Sequence, residues 1–339
     1  MNSNKYLKMR IALIICTFKR ASAVAKLMAS LQKQSRYPDE IIVVDSSPDD
    51  ETERLFIENK FPNTTYYRVG DAYRGLTKQR NYGIEKVSHE IDIVSFLDDD
   101  ILLEPDYFEK IIQAFKKFPE AGGIGGYILN SGKKWNEHKG DNVRFNEFFI
   151  DGWKTKLGKR HLFRKILGLS PDKQPGKMPE FSHGYSIGLL PPNGKIYPVD
   201  FFIGCAANFK KKIFKEFSFS EYFEGYGLYE DMDFCLRVSK KYPLYVHTGA
   251  GVYHYHEPSG RPNHFKYGKM VVRNGWYVWR VAFRNPGIKA QFKWHLITWV
   301  LILIRLTNMF AQPKAAFYES LGRIYGWLSL IFDKPLIKD

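Results

Sequence analysis

The chain has 339 residues, 44% hydrophobic and 26% charged, which is ordinary globular material for one large domain or two modest ones. Its formal net charge is +15, which points to nucleic acid, an anionic membrane face or phosphorylated substrates. No Cys/His finger, aromatic-basic RNA motif or basic zipper accompanies that charge, so nucleic acid is not an expected partner.

Lys5, Lys8 and Arg10 precede a short apolar run from Ile11 to Cys16. The run is too short for a signal sequence and ends at once in Phe18-Lys19-Arg20, so it reads as a first buried strand. Val24, Leu27, Met28 and Leu31 follow at helical spacing, and Ile41 to Val44 supplies a second buried strand closed by Asp45. Strand, helix, strand at this spacing is a βαβ unit. The pattern then repeats: helix over 51–60, strand over 64–69, helix over 77–87, and strand over 91–97 ending in Asp98-Asp99-Asp100. Phe108, Ile111, Ile112 and Phe115 mark a further helix behind Pro105. In such a doubly wound half, ligands lie beyond the carboxyl ends of the strands, where both Asp45 and the Asp98–Asp100 run fall.

Residues 130–195 mix Gly, Pro, Lys and aromatics with weak periodicity and read as a long loop or insertion. Near the end, Leu296 to Ile304 is apolar except for Thr298, and Arg305 interrupts it. That is short of the roughly 20 residues a spanning helix needs. A buried or interfacial helix is expected, and the bordering Trp, Lys and Arg residues favour membrane contact. The three cysteines, Cys16, Cys205 and Cys235, sit among apolar neighbours without a C-x-x-C pair and read as buried free thiols of a reducing compartment.

Several groups carry chemistry. Asp98 and Asp100, at i and i+2 of an extended segment, point the same way and suit a hard divalent cation with positions open for phosphate oxygens. Asp45 is placed to accept hydrogen bonds from a base or ribose. Gly75 to Asn81 sets cations and amides suited to a diphosphate before the Asp98 strand. Glu230-Asp231-Met232-Asp233 offers a general base. Val252-Tyr253-His254-Tyr255-His256 puts two histidines on one strand face as candidate metal ligands.

In this order, the stretches Ile15 to Arg20, Val43 to Ser47, Lys78 to Gly83, Phe96 to Asp100, Gly204 to Ala207 and Gly225 to Asp233 resemble the family 2 glycosyltransferases. The resemblance implies an α/β GT-A fold: a mostly parallel, doubly wound sheet with helices on both faces, plus a C-terminal helical segment. It divides the chain into a nucleotide-sugar-binding half (1–125), an acceptor-binding and catalytic half (126–262) and a helical, membrane-associating segment (263–339). It also implies roles. Thr17, Phe18, Arg20, Asp45, Arg80, Asp98, Asp99, Gly204 and Cys205 would bind the donor, and Glu230 would lie on the acceptor side. Asp231 would be the catalytic base, and Asp100 with His254, rather than His256, would hold Mg2+ or Mn2+.

The implied activity is inverting transfer of a sugar from a nucleotide diphosphate donor, UDP by default, to a hydroxyl of a saccharide or lipid-linked acceptor in surface polysaccharide or glycan assembly. The implied location is cytoplasmic, peripheral on the cytoplasmic membrane face. The alternative is an inactive nucleotide-sugar-binding module at a membrane surface, which would be expected to lack one of Asp98, Asp100 and Asp231. A dehydrogenase is excluded because Gly122 to Gly126 does not complete G-x-G-x-x-G: Ile128 stands at its end. A phosphatase would want a nucleophilic Asp where Cys16-Thr17 stands, and a nucleotidyltransferase would want a Gly-rich loop after the first strand.

Overall fold

A computed structural model describes residues 9–140, 142–223, 225–256 and 262–337. Lys5 and Lys8, part of the N-terminal reading, lie outside them. Two compact units emerge: Met1–Ser131 with Pro192–Gly260, and Gly132–Pro191 with Arg261–Asp339.

The first unit is built on one mixed sheet. Its strands are β1 (Ile11–Thr17), β2 (Glu40–Asp45), β3 (Thr64–Arg68), β4 (Ile93–Asp98), β5 (Ile101–Leu103) and β6 (Gly123–Ile128). The hydrophobic runs at Ile11–Ile15 and Ile41–Val44 are strands because both faces are covered, and each of these residues is essentially unexposed. β3, β2, β1 and β4 run parallel, with Thr17 opposite Asp45 and Cys16 opposite Asp98. That register brings the ends of β1, β2 and β4 to one edge of the sheet, as expected for a ligand-binding switch region. Helices α1 (Ala21–Leu31), α2 (Glu51–Glu58), α3 (Leu76–Lys86) and α4 (Tyr107–Lys117) fall between the strands, as the periodicity predicts.

Three later strands complete the sheet. With the second unit's β7 (Trp135–Glu137), β8 (Glu147–Ile150) and β9 (Trp153–Lys156) numbered in chain order, they are β10 (Ile196–Val199), β11 (Ala206–Lys210) and β12 (Leu244–His254). β11 inserts antiparallel between β4 and β6, and β12 pairs parallel with β6 but antiparallel with β10 and β5. The fold is a mixed α/β arrangement of GT-A type, parallel in its first half. The main core joins the inner face of β1, β2 and β4 to α1 and α4, with Leu27, Leu31, Phe108 and Phe115 fully buried. Gly83 lets α3 lie close on the sheet, since an added Cβ would stand 2.7 Å from Ile14 Cγ2.

The second unit corrects the expected loop over 130–195. β7, β9 and β8 form a three-stranded antiparallel sheet, followed by α5 (Lys159–Ile166). These strands span only three or four residues, too few for a sequence period to stand out, yet Thr155 turns inward while Lys156 is exposed. After α6 (Glu230–Val238), which belongs to the first unit, come the long helices α7 (His264–Ala282), α8 (Ile288–Thr307) and α9 (Pro313–Phe332). Trp279 and Trp294 stack at 5.2 Å in their shared core with Val272 and Leu330. Among the described residues no helix is long and apolar enough to cross a membrane.

Candidate active site

The site gathers at the carboxyl ends of β1, β2 and β4. Asp98 closes β4 with its side chain about one-third exposed, whereas Asp99 and Asp100 are nearly covered. The two covered carboxylates have different partners. Asp99 accepts from Thr17 Oγ1 at 2.8 Å and from Arg20 Nη1 at 2.9 Å. Burial raises its pKa to about 6, against the pull of Arg20 and Thr17. Asp100 Oδ1 meets His254 Nε2 at 3.0 Å.

Asp98, Asp100 and His254 each offer one ligand atom, and these atoms lie within 4.8 Å of one another. Two carboxylates and an imidazole fit Mg2+ or Mn2+, with Mn2+ the better match to the nitrogen. β12 ends at His254, which pairs with Ile101 on β5 and so is brought beside Asp100. The expectation that His254 and His256 share a strand face is corrected. His256 lies beyond the strand at φ 49°, and its ring sits 3.9 Å from that of His254. Asn130 fixes the His254 backbone, donating to its carbonyl at 2.9 Å and accepting from its N–H at 3.0 Å.

Arg80 lies beneath this edge, 2% exposed. Its Nη1 donates to Glu230 Oε1 at 2.7 Å, and its Nη2 donates to Asp98 Oδ1 at 3.3 Å and the Gly204 carbonyl at 3.2 Å. The Phe96 and Phe219 rings flank the guanidinium at 5.5 and 5.2 Å. Glu230 is buried as well, and burial pushes its pKa well above the usual carboxylate range. Neither side chain is open to a ligand from solvent; they join β4, α3, α6 and the Gly204 turn into one support.

Asp231 opens α6. Its Oδ2 accepts from the Gly204 N–H at 2.8 Å and its Oδ1 from the Met232 N–H at 2.7 Å. Burial raises its pKa, while those two backbone donors and Arg80 oppose the rise. Gly204 allows the approach, because an added Cβ would stand 2.9 Å from Asp231 Cβ and 2.9 Å from Glu230 Oε1. Cys205 is buried next to it, and burial raises its thiol pKa. All three cysteines are free, with Cys16 only partly covered and its pKa pushed up to about 12 by burial.

Asp45 is fully buried. Its Oδ1 accepts from the Ser47 N–H and hydroxyl at 2.7 and 2.5 Å, and its Oδ2 accepts from the Tyr66 hydroxyl at 2.8 Å. Phe18 is partly exposed at the end of β1, with the Arg74 guanidinium 5.4 Å from its ring. Sequence reasoning missed Tyr66 and Arg74, and it did not foresee that Ser47 holds Asp45 or that Gln79, read as an amide for a diphosphate, ties the Thr17 and Val44 carbonyls together through its Nε2 at 3.0 and 2.8 Å. Only register joins Tyr66 to Asp45: Tyr66 pairs with Val43, two residues before Asp45 on the same face of β2.

Residues 12–179 match the model of Glycosyl transferase family 2. The chain belongs to glycosyl transferase family 2. Three relatives align with part of it. A glucosyl-dolichyl phosphate glucuronosyltransferase of Haloferax volcanii is 24% identical over 36% of this chain and 39% of its own length. An O-antigen chain rhamnosyltransferase of Salmonella typhimurium is 30% identical over 32% of this chain and 33% of its own. An uncharacterized glycosyltransferase of Haemophilus influenzae is 28% identical over 34% of this chain and 37% of its own. The chain thus matches between a third and two fifths of each relative's length.

Proposed function

We propose that this family 2 member is an inverting, metal-dependent glycosyltransferase that moves a sugar from a nucleotide diphosphate donor to a hydroxyl of a saccharide or lipid-linked acceptor in glycan assembly. The observation that carries the reading is a division of acidic groups at one sheet edge. Asp98, Asp100 and His254 converge as a ligand set, while Asp231 stands apart from them on α6 with its own backbone donors. An inactive module would have no reason to keep both sets, and nothing at the site favours that alternative.

In this reading Asp98, Asp100 and His254 hold Mg2+ or Mn2+, which when bound neutralises charge on the diphosphate leaving group. Phe18 and the exposed oxygen of Asp98 meet the donor. Thr17 and Arg20 hold Asp99, and through it the Asp98–Asp100 turn, in place. Asp45 orders Ser47 and Tyr66 at the end of β2, where the base would lie. Arg80 and Glu230 position Asp98 and the Gly204–Cys205 turn. Asp231 takes the proton from the acceptor hydroxyl, whose oxygen attacks the anomeric carbon from the face opposite the leaving diphosphate. That carbon–oxygen bond forms as the bond to the diphosphate breaks, so configuration inverts.

UDP is the default nucleotide. We further place the chain peripherally on the cytoplasmic face of a membrane. Residues 262–337 carry eleven Lys and Arg against only Glu319 and Asp333. Phe317, Leu321, Leu328 and Phe332 leave an exposed apolar stripe along α9. The test of the transfer reading is Asp231→Asn: donor binding retained, sugar transfer absent. Turnover near that of the unmodified enzyme would sink it.

A further inference from the structure

The segment Gly132–Pro191 holds a group of cations with no acid among them. Arg164 is 2% exposed. Its Nε donates to the Leu169 carbonyl at 3.1 Å and its Nη1 to the His183 carbonyl at 2.7 Å, while Nη2 is buried with no hydrogen-bond partner among the described residues. His161, also buried, accepts from Arg160 Nε at its Nε2 at 3.1 Å. That bond assigns the proton of the neutral ring to Nδ1, which is likewise buried without a partner. Burial first, and then Arg160, Arg164 and Lys133, depress the His161 pKa to about 3. Burial and Arg160 similarly lower Arg164 to about 10. Among the described residues no carboxylate forms an ion pair with Lys133, Arg160 or Arg164.

A desolvated guanidinium with an idle N–H is costly, and a water molecule would satisfy the N–H without offsetting the charge. The compensation such a cluster calls for is an anion. Three positive charges call for more than one negative charge, and the idle Arg164 Nη2 together with the neutral His161 N–H offers donors for phosphoryl oxygens. We infer that Lys133, Arg160, His161 and Arg164 form a site for a phosphate or diphosphate group. The group could be the diphosphate of a lipid-linked sugar or a free diphosphate; the recognition chemistry is the same. The site rests on this segment alone and stands whether or not the transfer reading does.

The test is calorimetric titration of the full chain with inorganic pyrophosphate and with farnesyl diphosphate, in EDTA so that a divalent-metal donor site contributes nothing. Saturable binding is expected, weakened about tenfold or more by Lys133→Gln/Arg160→Gln. Both of these residues are exposed, so the variant should fold. Asp98→Ala should bind pyrophosphate as the unmodified chain does. The His161 pKa, followed by NMR, should rise when pyrophosphate binds. Tighter binding of farnesyl diphosphate would assign the lipid source, and equal affinity the bare group; both support the site. No saturable binding, unchanged affinity in Lys133→Gln/Arg160→Gln, or equal loss in the charge-matched Lys116→Gln/Lys117→Gln on α4 would overturn it.

Discussion

Arg80 and Glu230, 150 residues apart in the chain, meet as a buried ion pair at 2.7 Å, with both side chains no more than 6% exposed. The pair fastens α3 to the start of α6 and reaches Asp98 and Gly204 through the second guanidinium nitrogen. Removing one partner strands the other in low dielectric. Arg80→Leu should therefore destabilise the protein by about 3–5 kcal/mol. Arg80→Lys should recover only part of that, because an ammonium lacks the fork that reaches Glu230, Asp98 and the Gly204 carbonyl together. Urea midpoints of the two variants decide this; a midpoint unchanged in Arg80→Leu would contradict it.

If Asp231 is the base, as proposed, the pH dependence of transfer follows from its carboxyl. Burial raises its pKa, so the base is lost at higher pH than an ordinary aspartate would be. The acidic limb of kcat/KM should lie above the usual aspartate value of about 3.9. Below that limb the carboxyl is protonated and transfer falls; above it, activity reaches a plateau. An acidic limb at or below the ordinary value would argue against Asp231 as the base.

Acid should weaken the second unit through its histidines. His161 and His183 are each held near 3, chiefly by burial. The folded chain keeps them neutral, whereas the unfolded chain protonates them at about 6.5. Their neutral form costs nothing above that value, and stability is lost as pH falls from about 6.5 towards 3. The slope approaches at most about 1.4 kcal/mol per pH unit for each histidine. Thermal melts between pH 7.5 and 5 should show the decline, and His161→Asn should flatten it.

Two glycines of the second unit should respond in opposite ways. An added Cβ at Gly268 would stand 2.0 Å from the Glu319 carbonyl oxygen, and Gly322 faces Phe265 across the same helix pair at 2.0 Å. Gly268→Ala must push α7 and α9 apart, at a cost of about 1–3 kcal/mol or more. Gly158 has φ −68° and nothing within 4 Å of an added Cβ. Gly158→Ala should be neutral or stabilise by up to about 1 kcal/mol. Melting temperatures of the pair check the contrast.

The first half of the sheet was legible because its strands are buried on both faces: Ile11–Ile15 and Ile41–Val44 read as strands without any partner in view. The Asp98–Asp100 run was legible for the same reason, as a break in an apolar run. Which carboxylate does what was not. Asp99 turns onto Thr17 and Arg20 while Asp100 meets His254, a sorting set by the return of β12 past β5, where His254 pairs with Ile101, 153 residues earlier in the chain. The β7–β9 sheet escaped because none of its strands is longer than two periods of alternation. Lys154, Lys156, Lys159, Arg160, Arg164 and Lys165 read in sequence as one basic run that could meet a lipid pyrophosphate or anionic headgroups, but nothing in that run set Arg164 apart as the buried one.

The central claim is that Asp98, Asp100 and His254 serve a nucleotide-sugar donor while Asp231 serves the acceptor. The most direct measurement is thermal stabilisation by a panel of UDP, GDP, dTDP and ADP and their sugars, with and without Mn2+, for the unmodified chain, Asp98→Ala and Asp231→Asn. The expected result is metal-dependent stabilisation by one nucleotide class, lost in Asp98→Ala and kept in Asp231→Asn. Stabilisation by no nucleotide, or stabilisation that survives Asp98→Ala, would contradict it.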